Sequence, residues 1–347
     1  MIKVFSNIEQ LKEDWEHIEL PLFLKREFLA IYYANHPQIK HLFVTDEQLR
    51  KYAHIFKINF TKTKHYRAKF SLSAWFLRTI QFDVLYLTNA YITNVPAFVH
   101  KEKITLKELL SKISSKYSLV VIPDFLYDQM RVEDNAYTKI EVEEEMVVDI
   151  RKNWHTMEDY IANLKRKYRN KVKNIVRQTN EIEIKPLSAA GISNYANVLQ
   201  VLFDQVASSS NFKGPEFNTA SFVSFVEKGF MRVDGYFFNQ QLVGFSSVME
   251  DEDRLYSYFV GFDKQLNTTM PIYGRILLEN IANAIQLKKE KLILGRTANE
   301  FKSNFGAYPI RSFVYVKIQN RLLRRVLNPF LQRVSIKPWT MRSPFSD

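Results

Sequence analysis

The chain has 347 residues, 46% of them hydrophobic and 14% aromatic; this is enough for two domains with separate cores, and too apolar for a disordered chain. Its 49 Lys and Arg against 37 Asp and Glu leave a formal charge of +12, which points to an anionic partner such as nucleic acid, a phosphorylated cofactor or an anionic lipid surface. Cysteine is absent, which excludes disulfides, thiolate metal sites and a cysteine nucleophile. The seven histidines (His17, His36, His41, His54, His65, His100 and His155) lie in the first half and form no His-x-x-x-His pair, so no metal is expected. No Gly-x-Ser-x-Gly elbow suggests a serine hydrolase. No apolar run approaches the roughly 20 residues of a membrane span, and the start, with Glu9, Lys12, Glu13, Asp14 and Glu16, lacks the apolar core of a signal peptide. A cytoplasmic location is expected.

In chain order, Phe23–Ala34 reads as a helix after Pro21, ended by His36-Pro37. His41–Thr45, Ile55–Phe60 and Phe82–Thr88 read as strands. Thr105–Lys116 reads as a helix with a Thr105/Glu108 capping box, followed by the buried strand Leu119–Pro123. Helix followed by buried strand suggests an α/β layer in the first 150 residues. A second unit begins near Met146–Ile150. Thr156-Met-Glu-Asp159 opens a long helix to about Thr179, striped by Ile161, Leu164, Tyr168, Val172, Ile175 and Val176. Its other faces carry Lys165, Arg166, Lys167, Arg169, Lys171, Lys173 and Arg177 with no acid among them. A solvated face and an anion-binding face are equally good readings.

Ile182–Ile184 then reads as a strand, Asn194–Ser208 as a helix, Ser208–Pro215 as a loop and Thr219–Lys228 as a helix. Gly235–Phe238, Leu242–Met249 and Leu255–Asp263 read as a meander, turning at Asn239–Gln241 and at Glu250–Arg254. Tyr256 and Tyr258 alternate with Leu255, Ser257 and Phe259, so they share a face, where packing competes with substrate contact. Thr268–Lys289 reads as a helix whose start, around Met270–Arg275, offers N–H groups and a positive dipole end to an anion. Lys291–Leu294 is a strand, and Thr297-Ala-Asn-Glu300 is a capping box for a short helix stopped at Gly306. The basic tail, with Arg321, Arg324, Arg325, Arg333, Lys337 and Arg342, contains Leu322, Leu323, Val326, Leu327, Phe330 and Leu331, interrupted by Pro329. Docking on the first lobe and lying on an anionic membrane are the two readings, with docking favoured.

Several segments carry a resemblance to a known family. They are Tyr160–Arg177 with its Leu-x-Arg-Lys-Tyr-Arg-Asn-Lys pattern, Gly235–Asp263, Ile272–Ile285, and Leu294-Gly-Arg-Thr297 through Phe301-Lys-Ser-Asn-Phe-Gly306. Over roughly residues 150–320 the chain resembles the GNAT superfamily, in particular its Fem-like branch, related to peptidoglycan-bridge aminoacyl transferases. The resemblance implies an α/β fold with a mixed sheet and tandem GNAT-like lobes, the first degenerate. It implies lobes at 1–150 and 151–320, with a basic tail at 321–347 packing on the first lobe. The implied activity is N-acyl transfer from an acyl-CoA or other acyl thioester, or from an aminoacyl-tRNA, to a small-molecule or lipid-linked amine of a cell-envelope precursor. A catalytically silent binding protein for RNA, a nucleotide-sugar or anionic lipid is the alternative. Peripheral contact with the inner membrane face through residues 321–347 is a further expectation.

The match places Pro271, Tyr273, Gly274 and Arg275 at the donor side and Lys302 on a substrate phosphate or carboxylate; Thr269 and Met270 at the helix entry are further donor-side candidates, and Tyr256 on its strand face and Arg296 at the strand end are further candidates for substrate contact. The ordinary donor loop, Arg/Gln-x-x-Gly-x-Gly/Ala, is missing, since Leu266–Arg275 has one glycine; that makes an aminoacyl-tRNA or a longer thioester more plausible than acetyl-CoA. The chemistry of amine attack asks for a base and an acid. Glu250 and Asp251 are the candidate bases, and Tyr258 is the candidate proton donor to the leaving group.

Overall fold

The computed structural model describes residues 2–11, 13–59, 81–92, 95, 98–99, 105–208, 214–333 and 335–345. Phe60 of the expected second strand, His65, His100 and residues 209–213 of the expected loop lie outside the described residues. The chain divides into two compact units. One comprises Met1–Val142, Asn211–Phe217 and Arg311–Lys337. The other comprises Glu143–Ser210, Asn218–Ile310 and Pro338–Asp347.

The first unit opens with β1 (Lys3–Phe5), α1 (Arg26–Asn35), β2 (Lys40–Thr45), β3 (Arg50–Asn59), β4 (Gln81–Tyr86) and β5 (Phe98–Val99). α2 (Leu106–Ser111), β6 (Leu119–Pro123) and α3 (Asp124–Tyr127) follow. β1, β2, β3 and β4 pair antiparallel in sequence, and β4 then runs parallel to β6. α2 begins after Thr105 without a side-chain cap, so the expected Thr105/Glu108 capping box does not form. The expected helix at Phe23–Ala34 starts later, at Arg26, because Leu22–Leu24 makes a separate 3-10 turn.

Chain elements of the second unit start within β7 (Thr138–Asp149) and continue through α4 (Met157–Asn163), α5 (Arg166–Gln178), β8 (Glu183–Pro186), α6 (Ala189–Asn194), α7 (Ala196–Ala207) and α8 (Ser221–Glu227). They end with β9 (Arg232–Phe238), β10 (Gln241–Glu250), β11 (Arg254–Phe262), α9 (Ile272–Gln286), β12 (Lys291–Gly295) and α10 (Asn299–Ser303). The Thr156/Asp159 capping box forms. The single long helix expected after it does not: Leu164 and Lys165 take extended angles, and the chain restarts as α5. Leu164 is buried and bridges to Phe345, and Arg169 caps the end of α4 through the carbonyls of Ala162 and Leu164. Tertiary packing thus overrides a run of good helix formers. Asn239 and Gln240 both have positive φ (47° and 62°), the left-handed pair that a two-residue hairpin turn requires.

β8, β9, β10 and β11 pair antiparallel, and β11 runs parallel to β12. This repeats the order of the first unit: an antiparallel meander, then a parallel pair joined through a helix. β13 (Tyr308–Ile318) and α11 (Arg321–Leu331) end the fold, and α11 runs through Pro329 rather than breaking there. β7, which follows β6 in the chain, pairs with β12, whereas β13, which follows β12, pairs with β6. In each unit the strand next to the parallel pair is the one that the chain order would give to the other repeat.

Histidines supply part of the first unit's interior. His36, His41 and His54 are buried, with His54 against the rings of Tyr52, Tyr91 and His41. His41 donates from Nε2 to the His36 carbonyl (3.1 Å) and accepts the Tyr52 hydroxyl at Nδ1 (2.6 Å), and His54 Nδ1 accepts the Ala90 N–H (3.0 Å). Burial pushes His36 and His41 down to about 4 and His54 well below its usual range. All three stay neutral in the fold, while the unfolded chain takes up protons as pH falls through about 6.5, so stability falls from there towards pH 4. Thermal melts should show a falling melting temperature across that window, and imidazole NMR should show none of the three titrating above pH 5. A titration near 6.5 for these rings contradicts the packing described.

Candidate active site of the second unit

The chemistry-bearing geometry begins where β11 and β12 part. Their parallel ladder runs only from Arg254↔Lys291 to Tyr256↔Ile293, while β11 continues to Phe262. From Ser257 onward, among the described residues, no strand pairs with β11 on the edge that faced β12. On its other edge β11 stays on β10, across a β-bulge: Ser246 pairs with Val260 and Val248 with Ser257, so Ser247 alone opposes Tyr258 and Phe259. The Ser247 hydroxyl stitches the bulge, accepting the Phe259 N–H and donating to the Phe259 carbonyl, both at 2.9 Å. Bulges bend a strand and raise its twist, which turns β11 away from β12.

α9 lies against one face of this opening. Leu255 packs with Leu277 and Ile281, and the buried Asn280 donates to the Ser257 hydroxyl at 2.9 Å. Asn280 Oδ1 is buried without a hydrogen-bond partner, an acceptor left over at the parting point. α7 covers the other face, with Phe203 against Phe259 (5.1 Å between rings). A Cβ on Gly261 would come within 2.7 Å of the α7 backbone, so glycine is what lets this helix sit so close.

Beside the start of α9 is an open groove of about 420 Å³, lined by α5, Pro271, Phe301 and Asn304. From α5 it receives Lys167 and Lys171, one turn apart, and Asn170, Asn174 and Gln178, each a turn further on. Lys171 lies 5.0 Å over the Phe301 ring, which stacks on Tyr273, itself stacked on Phe262 (5.4 Å each). Burial, then the nearby Arg342 and Lys167 charges, lowers the Lys171 pKa. Two cations and three amides beside an aromatic wall can offer hydrogen-bond donors and positive charge to an anion. Lys167 and Lys171 stood out in the sequence; Asn170, Asn174 and Gln178 did not, although their i, i+4 spacing is the signal that could have found them, and Ser247 and Asn280 carried no signal there.

Among the expected donor-side residues, only Pro271 lines this groove. Thr269 is exposed, with its hydroxyl bonded to the Leu266 carbonyl, and Met270 packs into the apolar cluster around Ile272 and Ile276. Arg275 is paired with Glu279 at 2.6 Å. The helix start offers fewer free donors than expected, because the Ile272 N–H bonds the Met270 carbonyl and the Tyr273 N–H bonds Asn267 Oδ1. Gly274 serves packing: a Cβ there would meet Ile175 of α5 at 2.9 Å.

The expected catalytic trio is not brought together. Glu250 and Asp251 lie at the β10–β11 turn, where Lys289 pairs with the Glu250 carboxylate (3.2 Å) and bonds the Asp251 carbonyl (2.8 Å). Tyr258 lies three residues beyond Leu255, the partner of Glu250, or roughly 10 Å along the strand. Tyr258 sits at the parting and Tyr256 at its last paired position, where burial pushes the Tyr256 hydroxyl up to about 12. Among the described residues no cluster of His, Asp or Glu is arranged to hold a metal ion.

Arg296 and Lys302 meet at the end of β12. Lys302 is buried, and its ammonium donates to the carbonyls of Gly295 (3.1 Å) and Arg296 (2.8 Å), a structural task in place of the expected anion contact. Burial lowers its pKa to about 7, against the opposing charges of Glu143 and Glu145 on β7. The expected Thr297/Glu300 capping box is absent: Gly295, Thr297 and Ala298 are left-handed (φ 68°, 69° and 54°), and Ala298 precedes α10 without a side-chain cap. A left-handed non-glycine residue costs roughly 1–2 kcal/mol, so Lys302 clamps a strained corner. Lys302→Ala should lower stability by about 1–3 kcal/mol, and Ala298→Gly should raise it by up to about 1 kcal/mol. Denaturant melts check both, and unchanged stability in the lysine variant contradicts the clamp.

No protein-family profile matches the chain, and no curated protein sequence matches it. Solved structures do. A conserved protein of unknown function from Bacteroides thetaiotaomicron VPI-5482 aligns over 92% of this chain and 100% of its own, at 10% identity and a TM-score of 0.55. FemX aligns over 91% of this chain and 96% of its own, at 11% identity and a TM-score of 0.50. A tandem GNAT protein from the clavulanic acid biosynthesis pathway is a looser likeness, at 8% identity and a TM-score of 0.46 over 92% of this chain and 98% of its own. The chain shares its fold with the Bacteroides protein and with FemX.

Proposed function

We propose that this protein is an N-acyltransferase whose second unit moves an acyl or aminoacyl group to an amine of a cell-envelope or lipid precursor, by direct attack in a ternary complex. The observation that carries the reading is β11 outrunning its parallel partner, close to a helix start and a basic groove. An extended amide-containing arm adds to such an edge as a strand does. Lys167 and Lys171 take the phosphates of the donor. The amine nitrogen bonds to the carbonyl carbon, the carbon–sulfur or carbon–oxygen bond breaks, and the amine's surplus proton passes to water. Tyr258 protonates the leaving thiolate or alkoxide, and edge N–H groups of β11 stabilise the oxyanion.

The internally capped start of α9 weighs against a compact pyrophosphate there. Together with the exposed cations Lys165, Arg166, Lys173 and Arg177 along α5, it favours a larger polyanionic donor, an aminoacyl-tRNA, over acetyl-CoA. It equally favours the second reading, a silent fold that only binds RNA.

Kinetics with each donor class separate these readings. Tyr258→Phe should lower kcat about 100-fold at unchanged donor KM. Lys167→Ala combined with Lys171→Ala should raise donor KM about 10-fold or more at nearly unchanged kcat. Binding of tRNA without turnover of any aminoacyl or acyl donor overturns the enzymatic reading in favour of the silent one.

A further inference from the structure

α11 has more apolar surface than the first unit covers. Leu327 is buried, Leu323 and Phe330 are half-buried, and Leu331 packs beside Ile140, Val314 and Val316. At about 100° per residue, Leu322, Val326 and Pro329 form the neighbouring strip of the same helix. That strip faces solvent: Leu322 is 74% and Val326 59% exposed, and Pro329 is exposed too. Arg321 and Arg325, one turn apart, border it, and Arg333 and Lys337 follow, all four exposed. Among the described residues none of these four side chains makes a hydrogen bond or ion pair, whereas Arg324 bonds the Ile318 carbonyl. From Gln319 to Ser346 the chain contains no Asp or Glu.

We propose that α11 docks the protein on an anionic lipid bilayer, with Leu322, Val326 and Pro329 in the headgroup–acyl boundary and Arg321, Arg325, Arg333 and Lys337 on lipid phosphates. An apolar strip with a cationic border and no acid is the chemistry of an interfacial helix. Nucleic acid explains the arginines but not the aliphatic strip, which offers no aromatic ring for a base to stack on. A stable protein partner needs about 800 Å² a side, far more than three side chains provide. Because the helix is already folded onto its sheet through Leu327 and Leu331, docking requires no new folding. The contact is at the surface: among the described residues no helix is long and apolar enough to cross a membrane. The inference does not rest on the transferase reading, since it is tested without turnover.

The full chain is floated with vesicles of phosphatidylcholine alone, and with vesicles containing about 30% phosphatidylglycerol, in ~0.1 M salt. It should float with the anionic vesicles only, and added salt should release it. Leu322→Ser with Val326→Ser, and separately Arg321→Glu with Arg325→Glu, should each reduce binding about ten-fold or more. These positions are exposed, so the melting temperature should be unchanged. Failure to bind anionic vesicles, or undiminished binding by the serine variant, overturns the proposal. So does binding that added RNA abolishes in the parent chain while the serine variant binds that RNA and the vesicles as well as the parent, since α11 would then be a plain anion site.

Discussion

Everything distinctive in the second unit depends on β11 leaving β12 after three paired residues. Two small hydrogen-bonding side chains fix that departure. Ser247 closes the bulge on one edge of β11, and Ser257, held by Asn280, ties the strand to α9 just past its last pair with β12. A continuous parallel ladder would have satisfied every backbone group of the edge. Here the pairing with β12 stops at Tyr256, and a buried Asn280 oxygen is left over beside the parting point. A buried acceptor of this kind costs stability unless something completes it. The edge is the feature of the unit that asks for a partner.

The two units repeat one order of strands, yet the repeat was invisible as sequence similarity within the chain. The exchange of β7 and β13 explains part of that concealment. A strand that closes one sheet is tethered to the other's sequence, so the chain order and the sheet order disagree at the point where a repeat would be read. In the first unit the matching parallel pair, β4 and β6, continues as far as the Leu87 N–H to Val121 carbonyl bond. The interior beyond it holds the neutral histidines His36, His41 and His54 with Tyr52 and Tyr91.

Elements with strong local periodicity were legible: the meander of β9, β10 and β11, the buried β6 and β12, and the body of α9. Those set by tertiary contacts were not. β7 carries Glu143, Glu144 and Glu145 in succession, which hides a strand whose faces hold acidic residues near Lys302 and Asn299. β13 was unread, because Tyr308–Ile318 alternates only weakly before Val314. The division of α4 from α5 depends on Leu164 being drawn to Phe345, a contact far off in the chain.

The site divides the same way. The strand with Tyr256 and Tyr258 and the body of the helix after Pro271 could be placed from spacing. That Glu250 and Asp251 fall at the far end of the strand, and that Lys302 turns inward on carbonyls, needed the turn and corner geometry. Hydrogen–deuterium exchange over residues 257–262, with and without aminoacyl-tRNA or acyl-CoA, tests the central claim most directly. The account predicts that a true donor slows exchange along this edge while leaving 81–86 of β4 unchanged. Exchange at 257–262 that no donor alters, with protection appearing elsewhere instead, would contradict it.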